Sequence, residues 1–284
     1  NTTPQTITLS NGSLTPVAII VWMVRQGAAA AGFVASQALS IGFGTRRGGA
    51  TQSGCVGLFS ADAANPSACG RVRNTTLLHV LSAATTTDYT VSLDSFAAGS
   101  FTVSYSSAAN ANGDTFAYMV IGGLDDAIVL NEVMNSVGAT EVVTGAGFLG
   151  NALLCLDAAL NANNTPTTNI AVSFGCATSA TRFWSVAVTE TTGDTMASTM
   201  NWNKAARTDG CLERLTINAD TSDAQWDLDS FGSDGFTLGV VNAPAATDQI
   251  ATFLVLKGGS FEAGSKAKAA ATGNDTFTLA NSAL

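Results

Sequence analysis

Charge is scarce in this chain. Only 12% of its 284 residues are Asp, Glu, Lys or Arg, about half the ~25% usual in globular proteins. The 12 Lys and Arg are outnumbered by 21 Asp and Glu, for a net charge of −9. So few cations leave little from which to build the basic patch that nucleic-acid binding requires. Disorder is excluded from the other side, because 46% of the residues are hydrophobic and disordered chains combine low hydrophobicity with high charge. Glu, Lys and Leu are too rare for a coiled coil. Histidine occurs once, as His79, and none of the five cysteines belongs to a C-x-x-C pair, so a Cys/His zinc site has no ligand pattern. There is no Gly-x-Ser-x-Gly elbow, no second histidine for a triad, and no glycine loop followed by Lys-Ser/Thr. Long apolar runs are missing too. The most apolar stretch, Pro16 to Val24, is stopped by Arg25, well short of the ~20 residues that cross a bilayer. It reads as a buried strand with Trp22 in the core. The chain begins at Asn1, as expected where a leader has been removed or an initiator skipped, and no signal-peptide pattern remains.

Ala, Gly, Ser and Thr take the place of charge. Such a surface is weakly hydrated and easily covered by neighbouring subunits, which points to assembly. The strongest signal is an internal repeat. Ser92-Leu-Asp-Ser-Phe96 followed by Gly99-Ser-Phe-Thr-Val103 returns as Asp227-Leu-Asp-Ser-Phe231 followed by Gly235-Phe-Thr-Leu238, with Phe96 and Phe231 separated by 135 residues. Phe116 to Gly123 returns as Ala251 to Gly259, Ser40-Ile-Gly-Phe-Gly-Thr45 as Ala171-Val-Ser-Phe-Gly-Cys176, and the apolar run Val17–Val24 as Ala152–Leu156. Four blocks in one order predict two tandem domains, residues 1–134 and 135–260, and a C-terminal tail or arm, residues 261–284. The period is too long for a solenoid.

Each unit reads as all-β. Alternating stretches such as Tyr89–Leu93, Phe101–Tyr105 and Trp184–Thr189, spaced by Gly/Asn/Asp turns, predict a β-sandwich or jelly roll. Helix-compatible composition is confined to Thr195–Met200 and the Ala-rich tail, read as loops or short helical turns. Thr276-Phe-Thr-Leu279 in the tail alternates like a strand, which could fold back on its own unit or pair with the sheet edge of a neighbour.

Candidate chemistry is thin. His79, in an apolar strand, reads as structural, with its counterpart near Arg214. The cysteines do not recur between copies, since Cys176 answers Thr45 and Cys211 answers Thr76. They read as small buried side chains, although Cys55 and Cys69 flank a loop and could form a disulfide. Asp94 and Asp229 each sit in a Leu-Asp-Ser-Phe element that reads as a capped turn. Calcium at Asp227, Asp229 and Asp234 or at Asp125-Asp126 is the alternative. Trp202, in Asn201-Trp-Asn203, is the candidate for stacking on a carbohydrate. No catalytic residue, metal or cofactor is expected.

The blocks Pro16-Val-Ala-Ile-Ile-Val-Trp-Met-Val-Arg-Gln26, Ile41-Gly-Phe-Gly-Thr45, Leu93-Asp-Ser-Phe96 with Gly99-Ser-Phe-Thr-Val103, and Phe116–Gly123 resemble a family of tailed-bacteriophage and environmental-virus structural proteins. The resemblance covers most of residues 7–123 and, more weakly, 142–259, where the Trp-x-x-Arg-Gln element is lost. It implies a non-enzymatic virion protein that assembles with itself and other virion proteins, without nucleic-acid or membrane partners. Three copies of a duplicated chain present six similar domains, so a trimer matches a sixfold or pseudo-sixfold platform in a capsid decoration or a tail tube. A carbohydrate-binding sandwich of a receptor-binding tail protein and a secreted filament subunit with strand exchange are the alternatives.

Overall fold

The computed structural model describes residues 3–25, 37–61, 68–107, 114–134, 140–193, 202–217, 219, 221–243 and 249–264. The tail strand at Thr276–Leu279 and the stretch Thr195–Met200 lie outside the described residues, which contain no helix. Up to Gly122 the chain forms β1 (Gln5–Thr8), β2 (Pro16–Arg25), β3 (Gln37–Arg47), β4 (Ala50–Ser60), β5 (Cys69–Asn74), β6 (Leu78–Ala83), β7 (Thr86–Ala97), β8 (Ser100–Tyr105) and β9 (Phe116–Gly122). There follow β10 (Asp126–Met134), β11 (Thr140–Thr144), β12 (Ala152–Asp157), β13 (Thr167–Thr168), β14 (Ile170–Ser179), β15 (Arg182–Glu190) and β16 (Trp202–Arg207). The last four are β17 (Leu212–Leu215), β18 (Ser222–Gly232), β19 (Gly235–Asn242) and β20 (Gln249–Lys257).

These strands make four sheets. Sheet I has the order β1-β8-β7-β6, sheet II β13-β5-β4-β3-β2-β9, sheet III β10-β20-β12-β14-β15-β16, and sheet IV β11-β19-β18-β17. The alternation in the strands explains the layering. In β7, Tyr89, Val91 and Leu93 point inward and join Phe101, Val103 and Leu78 between sheets I and II. Trp226, Leu228, Phe236 and Phe253 fill the matching space between sheets III and IV. A third apolar layer, with Ala18, Ile20, Phe43, Val129, Leu156 and Leu254, joins sheet II to sheet III. The stack is therefore I–II–III–IV, and each middle sheet packs on a neighbour on both faces, though not over its whole extent. β10 crosses β2, β3 and β4, so the middle sheets meet at a steep angle rather than strand along strand.

The two halves share a strand order. β1-β8-β7-β6 corresponds to β11-β19-β18-β17, and β5-β4-β3-β2-β9 to β16-β15-β14-β12-β20. Details recur with it. Phe101 and Tyr118 meet edge to face at 5.1 Å between centroids, and Phe236 and Phe253 do so at 5.0 Å. The Ser40 hydroxyl accepts the His79 N–H at 3.0 Å, and the Ser173 hydroxyl accepts the Glu213 N–H at 3.3 Å. A side chain at Gly42 would strike the Leu77 carbonyl, and one at Gly175 the Cys211 carbonyl. These contacts put Gly42 opposite Gly175, two residues out of the phase in which Phe43-Gly44 and Phe174-Gly175 align as sequence. They also put Glu213, not Arg214, in the place of His79.

Two strands leave their half of the chain. β10, inside the 1–134 division, pairs along its whole length with β20 in sheet III, from Asp126↔Lys257 to Met134↔Gln249. β13 adds to sheet II beside β5. The Leu-Asp-Ser-Phe element is not a turn. Leu93 pairs with Val103 and Ser95 with Thr102, and likewise Leu228 with Leu238 and Ser230 with Thr237, so Asp94 and Asp229 are the extra residues of two equivalent β-bulges. Trp22 is not in the core. Ala18 and Ile20 share its face of β2 and are covered by sheet III, but that cover stops short of Trp22, which stays 42% exposed.

Candidate functional site

The densest polar cluster lies in the seam between the two halves. Arg71 is buried and donates through Nε to the Ala158 carbonyl at 2.7 Å and through Nη1 to the Thr168 and Asn169 carbonyls, both at 3.0 Å. Arg73 donates to the side-chain oxygens of Asn163 and Asn131, the latter at 2.8 Å. Burial pulls both guanidiniums down from their usual value, and the nearby Asp157 carboxylate partly restores them. Asp157 pairs with Arg214, whose guanidinium lies over the Trp226 ring at 4.8 Å. The Arg donors thus satisfy carbonyls of the 158–169 segment and tie sheet II to it. What they do is join strands.

His79 is fully buried and hydrogen-bonded on both ring nitrogens, to Asn74 at 3.1 Å and Thr87 at 2.9 Å. The row Asn74–His79–Thr87 has the outline of a nucleophile triad, but the proton sits on the wrong nitrogen. The Thr75 N–H donates to the Asn74 side-chain oxygen at 2.8 Å, which turns the Asn74 amide nitrogen toward His79. Nδ1 then accepts and Nε2–H donates to Thr87, so the ring offers Thr87 no proton acceptor. Burial pushes the His79 pKa down to about 4, which keeps it neutral.

Cys55 and Cys69 stand on neighbouring strands, both free, but Cys55 lies opposite Asn74 and Cys69 opposite Ser60. Five ladder steps of ~3.3 Å separate them, far beyond the ~7 Å that a disulfide tolerates between Cα atoms. The structure does not bring this pair together. Burial pushes the Cys55 thiol up to about 12 and raises Cys69 and Cys176 as well. Trp202 opens β16 opposite Glu190, and its side chain lies outside the described residues. Among the described residues no cluster of three His, Cys, Asp or Glu side chains could hold a metal ion. Asp126 pairs with Arg47 at 3.0 Å, Asp234 accepts the Gly147 N–H at 2.6 Å, and Asp94 accepts the Ser104 hydroxyl at 2.8 Å. These carboxylates hold local structure.

The surface offers something different. β9 ends sheet II and β16 ends sheet III, so each leaves one side without a strand partner among the described residues. Met119 on β9 is 48% exposed and lies opposite Ile20, on the same face of sheet II as Trp22 and Val24. On sheet III, Phe174 and Val186 face the same way as buried Leu156, yet Val186 is 51% exposed. With Cys176, Trp184, Ala206 and Gly264 they line an open cleft of about 470 Å³. Open sheet edges beside apolar side chains are the features by which β proteins associate. The sequence reading had singled out neither edge, because an edge is a property of pairing rather than of residue pattern. No protein-family model matches the chain, and no curated protein and no solved structure matches it either.

Proposed function

We propose that this chain is a non-enzymatic structural protein of a tailed-bacteriophage virion, assembling with copies of itself as a capsid decoration or tail-tube component. The observation that carries the reading is the strand order laid down twice. Each chain presents two similar sandwich units, so a trimer offers six and fits a sixfold or pseudo-sixfold platform. Three further features support it. Charge is sparse, the sheet edges at β9 and β16 have no strand partner among the described residues, and apolar side chains such as Trp22, Met119 and Val186 face solvent. Buried Arg71, Asp157 and His79 are occupied in joining strands. Its partners on this reading are other copies and other virion proteins. Electron microscopy and sedimentation velocity of the purified protein test it. Rings, tubes or particle-bound trimers are expected, and a chain that stays monomeric at high concentration and on particles overturns the proposal.

A further inference from the structure

We propose that β9 pairs antiparallel with β9 of a second copy of this chain, joining two copies of sheet II into one continuous sheet about a twofold axis at Met119. The inference rests on the reading that copies associate, and it names one contact by which they do so.

Eight strands end the four sheets. A strand edge invites pairing unless it is short, covered or charged. β13 has two residues, β17 is buried throughout, and so are the first four residues of β6. β1 is a four-residue stretch, Gln-Thr-Ile-Thr, with three polar side chains. β10 carries Asp126 and Glu132, β11 carries Glu141, and β16 carries Lys204 and Arg207. β9 has none of these guards. Phe116-Ala-Tyr-Met-Val-Ile-Gly122 holds no charge and no proline, and none of its seven residues is buried. A twofold axis sets a strand against itself, so a charged strand would repel its own copy. β9 would not.

The second unit shows what such a strand takes as a neighbour. β20 is the counterpart of β9, and the edge-to-face pairs Phe101–Tyr118 and Phe236–Phe253 put Tyr118 in the place of Phe253 and Met119 in that of Leu254. Phe253 and Leu254 are both 0% exposed, whereas Tyr118 and Met119 are 40% and 48% exposed. The free edge of β20 is closed by β10, an antiparallel strand that sets Leu130 beside Phe253 and Val129 beside Leu254. β10 is committed to β20, and β2 is the only described strand beside β9. An antiparallel apolar strand suits the other side, and a second β9 is one. Pairing all seven residues fixes the register. Met119 then meets the Met119 of the second copy, Tyr118 its Val120, Ala117 its Ile121 and Phe116 its Gly122. Side chains alternate along a strand, so both members of every pair lie on one face. Trp22 and Val24, 42% and 45% exposed on the face of Met119, extend the apolar patch on either side of the axis. An isologous contact closes on two chains, so in an assembly of trimers it is the link from one trimer to the next.

Charge substitution at the axis, read by sedimentation velocity of the full chain, tests the contact. Met119→Lys and Met119→Glu each alter an exposed side chain, so the thermal transition is expected to stay in place. Across a twofold axis each variant sets like charges opposite one another. Each alone is expected to sediment at half the wild-type mass or less. An equimolar mixture, which sets lysine against glutamate, is expected to regain the wild-type mass. Val142→Lys, at an exposed position on β11, is expected to keep the wild-type mass, and an equal loss there would overturn the assignment to β9. A wild-type chain that assembles while both Met119 variants match its mass would overturn this contact and leave the self-assembly reading standing. Variants that lose mass and fail to regain it on mixing would overturn the pairing of β9 with itself in favour of another occupant of that edge. A wild-type chain that stays monomeric at high concentration would overturn both.

Discussion

His79 couples the fold to pH. Its pKa is pushed down to about 4 by burial, whereas the unfolded ring titrates near ~6.5. Between those values the unfolded chain binds a proton that the folded chain refuses, so stability is full above ~6.5 and falls as pH drops toward 4, by about 3 kcal/mol across the window. Half-buried Glu190 and buried Glu213 act in the opposite sense, because desolvation raises their pKa and the folded chain takes up their protons first. Comparison with His79→Gln isolates the histidine. Urea midpoints should differ most at pH 7.5 and converge by pH 4.5, and a constant gap would show that His79 carries none of the dependence. Glycines report on single contacts. Gly42→Ala and Gly175→Ala each drive a methyl into a backbone carbonyl, whereas Gly12→Ala meets nothing within 4 Å. A loss on the order of 2–4 kcal/mol is expected for the first two and under ~0.5 kcal/mol for the third, read from thermal unfolding. Four of the five thiols are buried, as their scatter between the two copies suggests, and Cys176 is half-buried. Native protein should accordingly react slowly with Ellman's reagent, Cys176 first, and yield all five thiols in guanidinium.

Among the elements, β7 and β8 could be read directly, since Tyr89–Leu93 and Phe101–Tyr105 alternate and each has one face on the core. β5 could not. Cys69-Gly-Arg-Val-Arg-Asn74 looks like a polar loop, yet all six residues are buried because the 158–169 segment supplies acceptors to Arg71 and Arg73. No local pattern announces a partner some 90 residues away. The Leu-Asp-Ser-Phe repeat was visible as a repeat, but its meaning as a bulge depends on the register with β8 and β19. The bulge makes a sharp prediction. Asp94→Ala touches an exposed side chain and one hydrogen bond to Ser104, and should cost about 0.5 kcal/mol. Deleting Asp94 removes the extra residue and leaves Leu93, Ser95 and Phe96 in regular register with Val103, Thr102 and Phe101, so both apolar side chains keep their inward face. That deletion should keep one cooperative transition by circular dichroism, and losing the transition would show that the bulge itself is required.

For the whole molecule, the seam between sheets II and III decides behaviour. The near-continuous apolar run of β2 hinted at a strand buried on both faces, but which of its residues are covered depends on where sheet III ends, and Trp22 falls beyond it. Phe43 lies in that seam with no exposed surface. Phe43→Ala should cost about 3–5 kcal/mol, and far-UV and near-UV signals should still move together in one transition. Two resolved transitions would show that the halves unfold separately.

The exchange of strands across the seam has a consequence in time. A ribosome releases residues at ~5–20 per second. The first nine strands are complete once Gly122 has emerged, but their outer layer waits for β10, β12 and finally β20, which closes at Lys257. For roughly ten seconds at those rates the nascent chain carries Ala18, Ile20 and Phe43 on an uncovered sheet. Synthesis order thus creates a vulnerable interval that the finished molecule no longer displays, and slowing translation after Gly122 should lower the yield of soluble protein more than slowing it before.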